Sequence, residues 1–437
     1  MRHSNRSGHD VNEKRIRAVF CDQLNLARGK YLPEHFANKG EARLCKGVFA
    51  VTYSRQLIDA PGGGLDEGLP DVALKFDTST YRLGWDTNTD IAIADVYEHG
   101  KPSPLCGRSA LKKAIAAWKK HGLEPMLGFE GEAFIFENRD GRFIPYDTPG
   151  SFVYGTGPFN DPVDLTQDIW SQAAYCGLPL ESLHTEFDNS QFEFTLEYDE
   201  ALKACDDFFL FRTMSRELLY KKGYLLSYLP KPIADRGGSG AHINISFKDM
   251  HTGKNALAGG TEAGKLSKLA QGMIAGLLHH HEALGGLLAP TVNSYERLQP
   301  ASLSGYWANW SHDHRQVAVR VSGENGEDAR IEHRLGDCAA SPYVTAAAVL
   351  HAALLGYEKG YELPPEENGD GFEKINTERH TKHSLTESLE ALEADTDFTQ
   401  ILGQGLIDNF CAIKRAEIEE LANLSRDEII DYYLHYV

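Results

Sequence analysis

The sequence lacks any apolar run near the roughly 20 residues that a membrane helix needs. Its N-terminus, MRHSNRSGHDVNEKRIR, lacks the apolar stretch of a signal peptide. The seven cysteines are scattered without a CxxC pair, which predicts reduced thiols rather than a disulfide framework. We therefore expect a cytoplasmic protein that does not contact a membrane.

Basic residues are also scarce. Lys and Arg number 44 against 63 Asp and Glu, so the net charge is −19. Nucleic acids and anionic membranes bind basic surfaces, and we therefore expect no nucleic-acid partner. The 437 residues, 42% of them hydrophobic, are enough for more than one core.

Composition divides the chain into three predicted regions. Residues 1–13 are polar and predict a loose tail. Residues 14–105 contain short β-type runs such as IRAVFCD and DVALKFD between Gly- and Asp-rich turns, which predicts a small strand-rich domain. The linker-like EHGKPSPLCGRS places the boundary near residue 105. In residues 106–437 strands alternate with helical patterns, which predicts a large α+β catalytic domain.

Acidic and other polar side chains recur in several β-type segments. A spacing of two places residues on the same face of a strand. The residues concerned are Glu130 and Glu132, His242 with Asn244 and Ser246, Glu332 with Arg334, and Glu186 and Glu193 at the ends of one strand.

Clustered carboxylates repel one another unless a cation compensates them. Taken singly, each Glu is explained more simply as a solvated strand residue. Taken together, carboxylates with one imidazole suit Mg²⁺ or Mn²⁺. Five carboxylates exceed what one ion needs, so the sequence predicts a site with two metals.

Several arginines follow or interleave with these acids. They are Arg297, Arg315, Arg320, Arg330 and Arg334. Guanidinium groups bind carboxylate and phosphate in a bidentate manner, although Arg315 and Arg320 could instead pair at a strand edge. Acids that hold metal, together with arginines that hold phosphate, indicate phosphoryl transfer.

From about Arg15 onward the chain resembles the glutamine synthetases. The segments that carry the resemblance are LARGKYLP, DVALKFDTSTYRLGW, FEGEAFIFE, LHTEFDNSQFE, GGSGAHINIS, NSYERLQP, WSHDHRQVAVRV and RIEHRLGDCAASPYV. The resemblance implies a small N-terminal β-grasp domain and a large catalytic domain with a curved antiparallel sheet and surrounding helices. It also implies self-association into stacked rings, with active sites between neighbouring subunits.

The resemblance further implies an ATP-dependent ligase. The γ-carboxylate of glutamate attacks the terminal phosphate of ATP, and an amine then displaces phosphate from the γ-glutamyl phosphate. Two to three Mg²⁺ or Mn²⁺ ions are implied at each site. The implied ligands are Glu132, Glu186 and Glu193 for one metal, and Glu130, His242 and Glu332 for the second.

The other implied roles concern the substrates. Substrate glutamate would contact Arg297, Arg334 and Gly238. The nucleotide would contact Glu181, Asn244, Ser246, Arg315, Arg320 and Arg330, with Arg315 also catalytic. Asp59 and Asp66 are candidates for the base that deprotonates the amine, although either could be a simple turn residue.

The chain departs from the family pattern after Arg297. Glutamine synthetases read R-x-x-P-x-x-E there, whereas this chain reads RLQPASL, so Leu303 replaces the acid that helps to bind ammonium. Gly237 stands where ammonia-using members carry Asn, and Tyr306 and Trp307 are near Leu303. This pattern resembles the γ-glutamyl-amine ligase branch and predicts a pocket for an alkyl- or arylamine.

Three alternatives stay open. They are a polyamine substrate, an ordinary ammonia-using glutamine synthetase in which Leu303 only packs on a flap, and an inactive family member with a binding or structural role. The intact set of metal-binding acids and phosphate-binding arginines speaks against the last of these.

Overall fold

The computed structural model describes residues 14–258, 266–323, 326–370 and 375–437. The predicted tail, residues 1–13, lies outside the described residues. Within the described ranges the chain forms three β-sheets and a set of α-helices.

The N-terminal region contains two four-stranded sheets, in the orders β2-β1-β6-β5 and β3-β4-β7-β8. Apolar residues from both sheets, such as Ala18 and Leu74, share one buried cluster. The elements are β1 (Arg15–Cys21), β2 (Ala27–Pro33), α1 (Glu34–Ala37), β3 (Glu41–Cys45), β4 (Asp71–Lys75), β5 (Arg82–Leu83), β6 (Thr89–Ile93), β7 (Asp95–Glu98) and β8 (Lys101–Pro102).

Leu105 and Cys106 are the last residues of this N-terminal cluster. Val19 and Ile91, however, pack into the main core of the rest of the chain. The two regions are therefore in close contact, and the division near residue 105 stays a prediction.

The remaining described residues form one ten-stranded sheet with helices around it. Its elements are α2 (Gly107–Lys119), β9 (Leu123–Arg139), β10 (Arg142–Pro145), α3 (Leu165–Tyr175), β11 (Leu180–Thr185), β12 (Gln191–Leu196), β13 (Asp199–Glu200), α4 (Ala201–Lys221), β14 (Tyr224–Ser227), β15 (Ala241–Asp249), α5 (Lys268–His279), α6 (His281–Leu288), α7 (Ser294–Arg297), β16 (Trp310–His312), β17 (Val319–Ser322), β18 (Arg330–His333), α8 (Pro342–Lys359), α9 (Leu385–Ala394), α10 (Thr396–Leu402), α11 (Gln404–Leu421) and α12 (Arg426–Leu434).

The main path of this sheet runs β11-β12-β9-β15-β18-β17-β16, and β10, β13 and β14 also pair with β9. Strand β9 has 17 residues, which lets it pair with five other strands. All of these pairs are antiparallel except β16 with β17, which is parallel. The predicted α+β class with a mainly antiparallel sheet is confirmed.

Helix α8 lies in the main core. Its residues are apolar nearly all round, and those from Pro342 to Gly356 are buried, as expected for a helix covered on every side. Pro342 occupies the first turn, where no N–H is needed, and Gly360 ends the helix with φ of 64°.

Helix α4 covers one face of β9. Phe129 stacks on Phe208 of α4, with ring centroids 4.7 Å apart. Because successive side chains of a strand point to opposite faces, Glu130 and Glu132 point away from α4.

No helix in the described ranges is both long enough and apolar enough to cross a bilayer. All seven cysteines are free thiols, as the sequence predicts, and six of them are buried.

Candidate active site

Strand register brings together the acids that the sequence scatters. Glu130 lies opposite His242 in the β9–β15 pair, and Glu132 lies opposite Glu193 in the β9–β12 pair. Side chains directly opposite each other on antiparallel strands are in contact range. Residues more than 100 positions apart in sequence are therefore neighbours on one face of the sheet.

The first acid–histidine cluster consists of Glu130, His242 and Glu332. His242 Nδ1 lies 3.6 Å from Glu130 Oε2 and 3.5 Å from Glu332 Oε1. Glu332 is buried and bonds to Arg334, and it accepts a hydrogen bond of 3.0 Å from Arg320 Nη1. These are the three residues predicted for the second metal, and the structure brings them together.

The electrostatics of this cluster favour an ionised Glu130. Burial opposes ionisation, but the hydrogen bond and charge of His242, with a further hydrogen bond from Asn244, outweigh it and lower the pKa of Glu130 to about 2. The carboxylate is therefore charged at neutral pH and can serve as a metal donor.

The second acid–histidine cluster consists of His184, Glu186 and Glu193. His184 Nε2 lies 3.1 Å from Glu193 Oε1, and His184 Nδ1 lies 4.0 Å from Glu186 Oε1. Burial, with the nearby charges of Glu132 and Glu193, raises the pKa of Glu186 to about 7. A bound cation would relieve the repulsion between these acids.

The sequence predicted Glu186 and Glu193 for this cluster but missed His184. The signal was present, since His184 precedes Glu186 by two residues in LHTEF and so has the same strand parity. Glu132, predicted as the third ligand, neighbours both clusters. Its Oε1 lies 4.0 Å from His242 Nε2, and its Oε2 accepts a hydrogen bond of 2.8 Å from the backbone N–H of Gly240.

The arginine predicted to bind glutamate is buried at the end of α7. Arg297 donates to the carbonyl oxygens of Leu335 and Arg334 at 2.9 and 3.1 Å. Within the described ranges, no carboxylate is recorded within 4 Å of it as an ion pair. A Cβ on Gly238 would lie 2.6 Å from Arg297 Cγ, so only glycine permits this approach of the backbone.

Arg334 links the first cluster to the loop that carries the predicted amine pocket. Its guanidinium bonds to Glu332 and donates to the carbonyl oxygen of Leu303 at 3.2 Å. The Leu303 side chain is 40% exposed. Trp307 is partly buried, whereas Tyr306 is buried and stacks on His380 with centroids 5.0 Å apart. Leu303 and Trp307 therefore supply the exposed apolar surface of this loop.

Gly237, the other predicted pocket residue, lies on the segment between β14 and β15. Its backbone N–H donates to Asp188, and the residue is partly buried.

A cavity of about 440 Å³ adjoins the first cluster and includes Glu130 in its wall. Four of the six residues predicted to contact nucleotide line this cavity, namely Glu181, Asn244, Ser246 and Arg330. Asn244 Nδ2 donates to Glu130 Oε1 at 2.8 Å, and Asn244 Oδ1 accepts from Arg330 Nε at 3.1 Å. A chain of hydrogen bonds thus joins the cluster to the cavity.

The remaining predicted residues lie outside this cavity wall. Arg320 bonds to Glu332 and to Asp313, and Arg315 is exposed. Asp59 and Asp66 are exposed on the loop between β3 and β4, and neither belongs to an acid–histidine cluster.

A comparison with known families gives a match over residues 104–433, which correspond to the glutamine synthetase catalytic domain. The chain belongs to the glutamine synthetase family. Family members are ATP-dependent ligases that use divalent metals, and this chain is a ligase of that family. Each acid–histidine cluster of this glutamine synthetase family member offers two carboxylates and one imidazole. This set of donors fits such metals.

Individual relatives are named for different products. The chain is 32% identical over 371 residues to the glutamine synthetase of Thermococcus kodakarensis, covering 83% of this chain and 82% of the relative. It is 30% identical over 390 residues to the gamma-glutamylethanolamide synthetase GlnA4 of Streptomyces coelicolor, covering 86% and 82%. A solved structure described as "Apo GmaS without ligand" has a TM-score of 0.81 and 26% identity, covering 95% of this chain and 97% of that one.

Proposed function

We propose that this protein joins the γ-carboxyl group of glutamate to an organic amine, with alkyl- or arylamines favoured, through γ-glutamyl phosphate. The observation that carries this proposal is the position of Leu303. Its backbone is held by Arg334, which also bonds to the first cluster, so an apolar side chain stands beside the proposed glutamate site.

The charge of the loop supports an organic amine. No acidic residue occurs between Glu296 and Asp313 in the sequence. An ammonium ion in a partly buried pocket needs a carboxylate partner, whereas an alkyl or aryl group gains free energy by covering apolar surface. Leu303 and Trp307 offer that surface.

The proposed metal site uses both clusters. Glu130, His242 and Glu332 would hold one ion, and Glu186 and Glu193 would hold the other with Glu132 or His184. When bound, the ions would neutralise phosphate oxygens of ATP. The residues that bind glutamate and those that bind the nucleotide would fix the distance between the two substrates.

Arginines complete the proposed substrate sites. Arg297 is buried without an acidic partner among the described residues, which suits it to the carboxylate of a substrate glutamate. Arg330 and Ser246 line the cavity beside Glu130, so the phosphates of ATP would enter between that cavity and the first cluster. The γ-carboxylate of glutamate would then meet the terminal phosphate in line.

Ammonia is the main alternative amine, and the glutamine synthetase of Thermococcus kodakarensis is the observation that favours it. A polyamine is the second alternative. Its distal ammonium group would need an acid in the pocket, and the loop from Leu298 to His312 contains none. The gamma-glutamylethanolamide synthetase relative supports an organic amine over ammonia.

The test is the rate of phosphate release from ATP, Mg²⁺ and glutamate with a panel of amines. The panel contains ammonia, methylamine, isopropylamine, aniline, ethanolamine and putrescine, and each γ-glutamyl product is verified by its mass. We expect kcat/KM to be highest for an alkyl- or arylamine that carries no second charged group. Highest kcat/KM for ammonia would establish the first alternative, and no turnover with any amine would indicate an inactive family member.

The proposal includes self-association into stacked rings, in which the exposed Asp59 or Asp66 of one subunit would accept the amine proton in the site of its neighbour. Co-assembly of Asp66→Asn subunits with Glu332→Gln subunits tests this arrangement, with each variant first shown to be inactive by itself. If Asp66 acts across the interface, the mixture regains activity, because some sites receive both native residues. The Asp59→Asn variant provides the same test for Asp59.

A further inference from the structure

A second large cavity lies where β1 and β2 meet α4 and the segment around His435. Its volume is about 690 Å³, within the range of pockets that hold small molecules. It shares no lining residue with the 440 Å³ cavity beside Glu130, and none of its residues belongs to an acid–histidine cluster. We call it the α4 cavity.

Cationic side chains outnumber acidic ones in the wall of the α4 cavity. Five of them face two acids, Asp86 and Glu217. Three of the five have a carboxylate partner: Arg17 pairs with Glu217, Arg28 with Asp22, and Lys221 with Asp86, at N–O distances of 2.6, 2.7 and 2.6 Å. The other two cations of the wall are Arg212 and Arg216.

The hydrogen-bond acceptors of these two arginines are backbone carbonyl oxygens, and the Arg212 guanidinium also lies 5.5 Å from the centroid of the Tyr228 ring. Arg212 donates to Asn25 at 3.1 Å and to Tyr436 at 3.3 Å. Arg216 donates to Tyr436 at 2.6 Å and to Leu226 at 3.1 Å. In the part of the chain that the structure describes, no ion pair within 4 Å is recorded for either guanidinium.

Arg212 is 3% exposed, and its Nε is buried without a hydrogen-bond partner among the described residues. Arg216 lies one helical turn further along α4, so the two side chains share a face of the helix. Burial and the charge of Arg212 lower the pKa of Arg216 to about 9. Two adjacent guanidinium groups in this setting are unfavourable until an anion compensates them.

We propose that the α4 cavity binds a small organic dianion whose acidic groups, carboxylate or phosphate, pair with Arg212 and Arg216. Guanidinium forks bind both kinds of group in the same bidentate geometry. The cavity is larger than an inorganic ion requires, and Tyr31 and Leu225 provide aromatic and aliphatic surface for a carbon skeleton. Bound dianion would bridge the N-terminal strands and α4, and would therefore stabilise the fold.

Four probes test the chemistry of the ligand. They are succinate, glycerol 3-phosphate, inorganic phosphate and the neutral succinamide, each titrated by calorimetry at saturating glutamate. We expect succinate or glycerol 3-phosphate to bind and, at about 100 times its Kd, to raise Tm by about 2–4 °C. Succinamide should do neither. Absence of binding by both organic dianions, or binding of inorganic phosphate alone, would overturn the proposal.

Two pairs of variants test the location. Thr213 lines the cavity three residues before Arg216, so Thr213→Glu places a carboxylate beside the Arg216 guanidinium. Thr213→Gln is its control, because glutamine has nearly the same volume as glutamate and no charge. Arg216→Gln removes one guanidinium, and its control, Arg415→Gln, removes a surface arginine that pairs with Glu393.

We expect Thr213→Glu and Arg216→Gln to weaken binding of the dianion at least about tenfold relative to their controls. The Thr213 pair keeps the test decisive if Arg216→Gln fails to fold. Equal affinity in Thr213→Glu and Thr213→Gln would show that the dianion binds elsewhere, and the proposal would be wrong.

Discussion

His184 and Glu193 face each other across strands β11 and β12, with His184 Nε2 3.1 Å from Glu193 Oε1. The contact places an imidazole in a cluster that the sequence predicted to contain carboxylates alone. The hydrogen bond to Glu193 raises the pKa of His184, although burial opposes this shift. A divalent cation at this position would displace the imidazole proton and bind the ring nitrogen.

Replacing His184 with Ala is expected to weaken Mn²⁺ binding at the second cluster by at least about tenfold, the effect typical of residues that support a metal site. Isothermal titration calorimetry on nucleotide-free protein measures this change. His121→Ala is the control, since His121 pairs with Glu358 on the surface outside both clusters. If both variants bind Mn²⁺ with the affinity of the unmodified protein, His184 is not a ligand.

The family resemblance implied every member of the first cluster and two members of the second. The spacing of the residues alone indicated less, for a physical reason. Alternation along a strand is a local property, so the shared faces of Glu130 and Glu132, or of His242 and Asn244, could be read from spacing alone. The register between strands depends on distant contacts and could not. The spacing of His184 and Glu186 is visible in the sequence, but the position of His184 opposite Glu193 depends on the pairing of β11 with β12, which neither segment shows.

The α4 cavity illustrates the same limit. Arg212 and Arg216 occur in a helical segment that predicts an ordinary amphipathic helix. Their guanidinium groups bond to backbone carbonyl oxygens because the segments around Asn25 and Tyr436 converge on α4. No local pattern encodes that convergence.

Leu303→Glu is expected to shift amine preference toward ammonia. A carboxylate on this loop would supply the partner that an ammonium ion needs. We expect the ratio of kcat/KM for ammonia to that for the best organic amine to rise by about tenfold or more, equivalent to about 1.4 kcal/mol.

Leu303→Gln is the matched control, because it has nearly the volume of the Glu variant without its charge. Its ratio should stay close to that of the unmodified protein. An equal rise in both variants would attribute the change to polarity or to loop movement, and no rise in Leu303→Glu would remove Leu303 from the specificity argument.

Gly238→Ala is expected to displace Arg297. The added Cβ would lie 2.6 Å from Arg297 Cγ and 2.9 Å from the carbonyl oxygen of Pro230, distances at which the side chain must move. If Arg297 holds the carboxylate of glutamate, KM for glutamate should rise by about tenfold or more, while KM for ATP changes less.

Gly405→Ala is the control for this substitution. Gly405 lies near the start of α11, where a Cβ would meet only Pro104 at an ordinary 3.7 Å. Its kinetic constants should not change, and alanine should stabilise the helix slightly. An unchanged KM for glutamate in Gly238→Ala would contradict the role proposed for Arg297.

His351 is expected to make stability depend on pH. It is buried in α8, and neither ring nitrogen has a hydrogen-bond partner among the described residues. Burial, with a smaller contribution from the charge of Lys113, lowers the pKa of His351 to about 4. The unfolded chain takes up a proton near pH 6.5, whereas the folded chain does so only near pH 4. Stability should therefore fall by up to about 3 kcal/mol as the pH decreases from 6.5 to 4.

His351→Leu removes this proton uptake and the two unpaired nitrogens together. We expect the variant to be more stable than the unmodified protein at pH 5, by about 1–3 kcal/mol, and to lose less stability between pH 6.5 and 5. Urea unfolding at fixed protein concentration measures both quantities, with the exposed His251→Gln as control. If the variant loses as much stability on acidification as the unmodified protein, other groups cause the loss. His351 would then have the same charge in the folded and the unfolded chain.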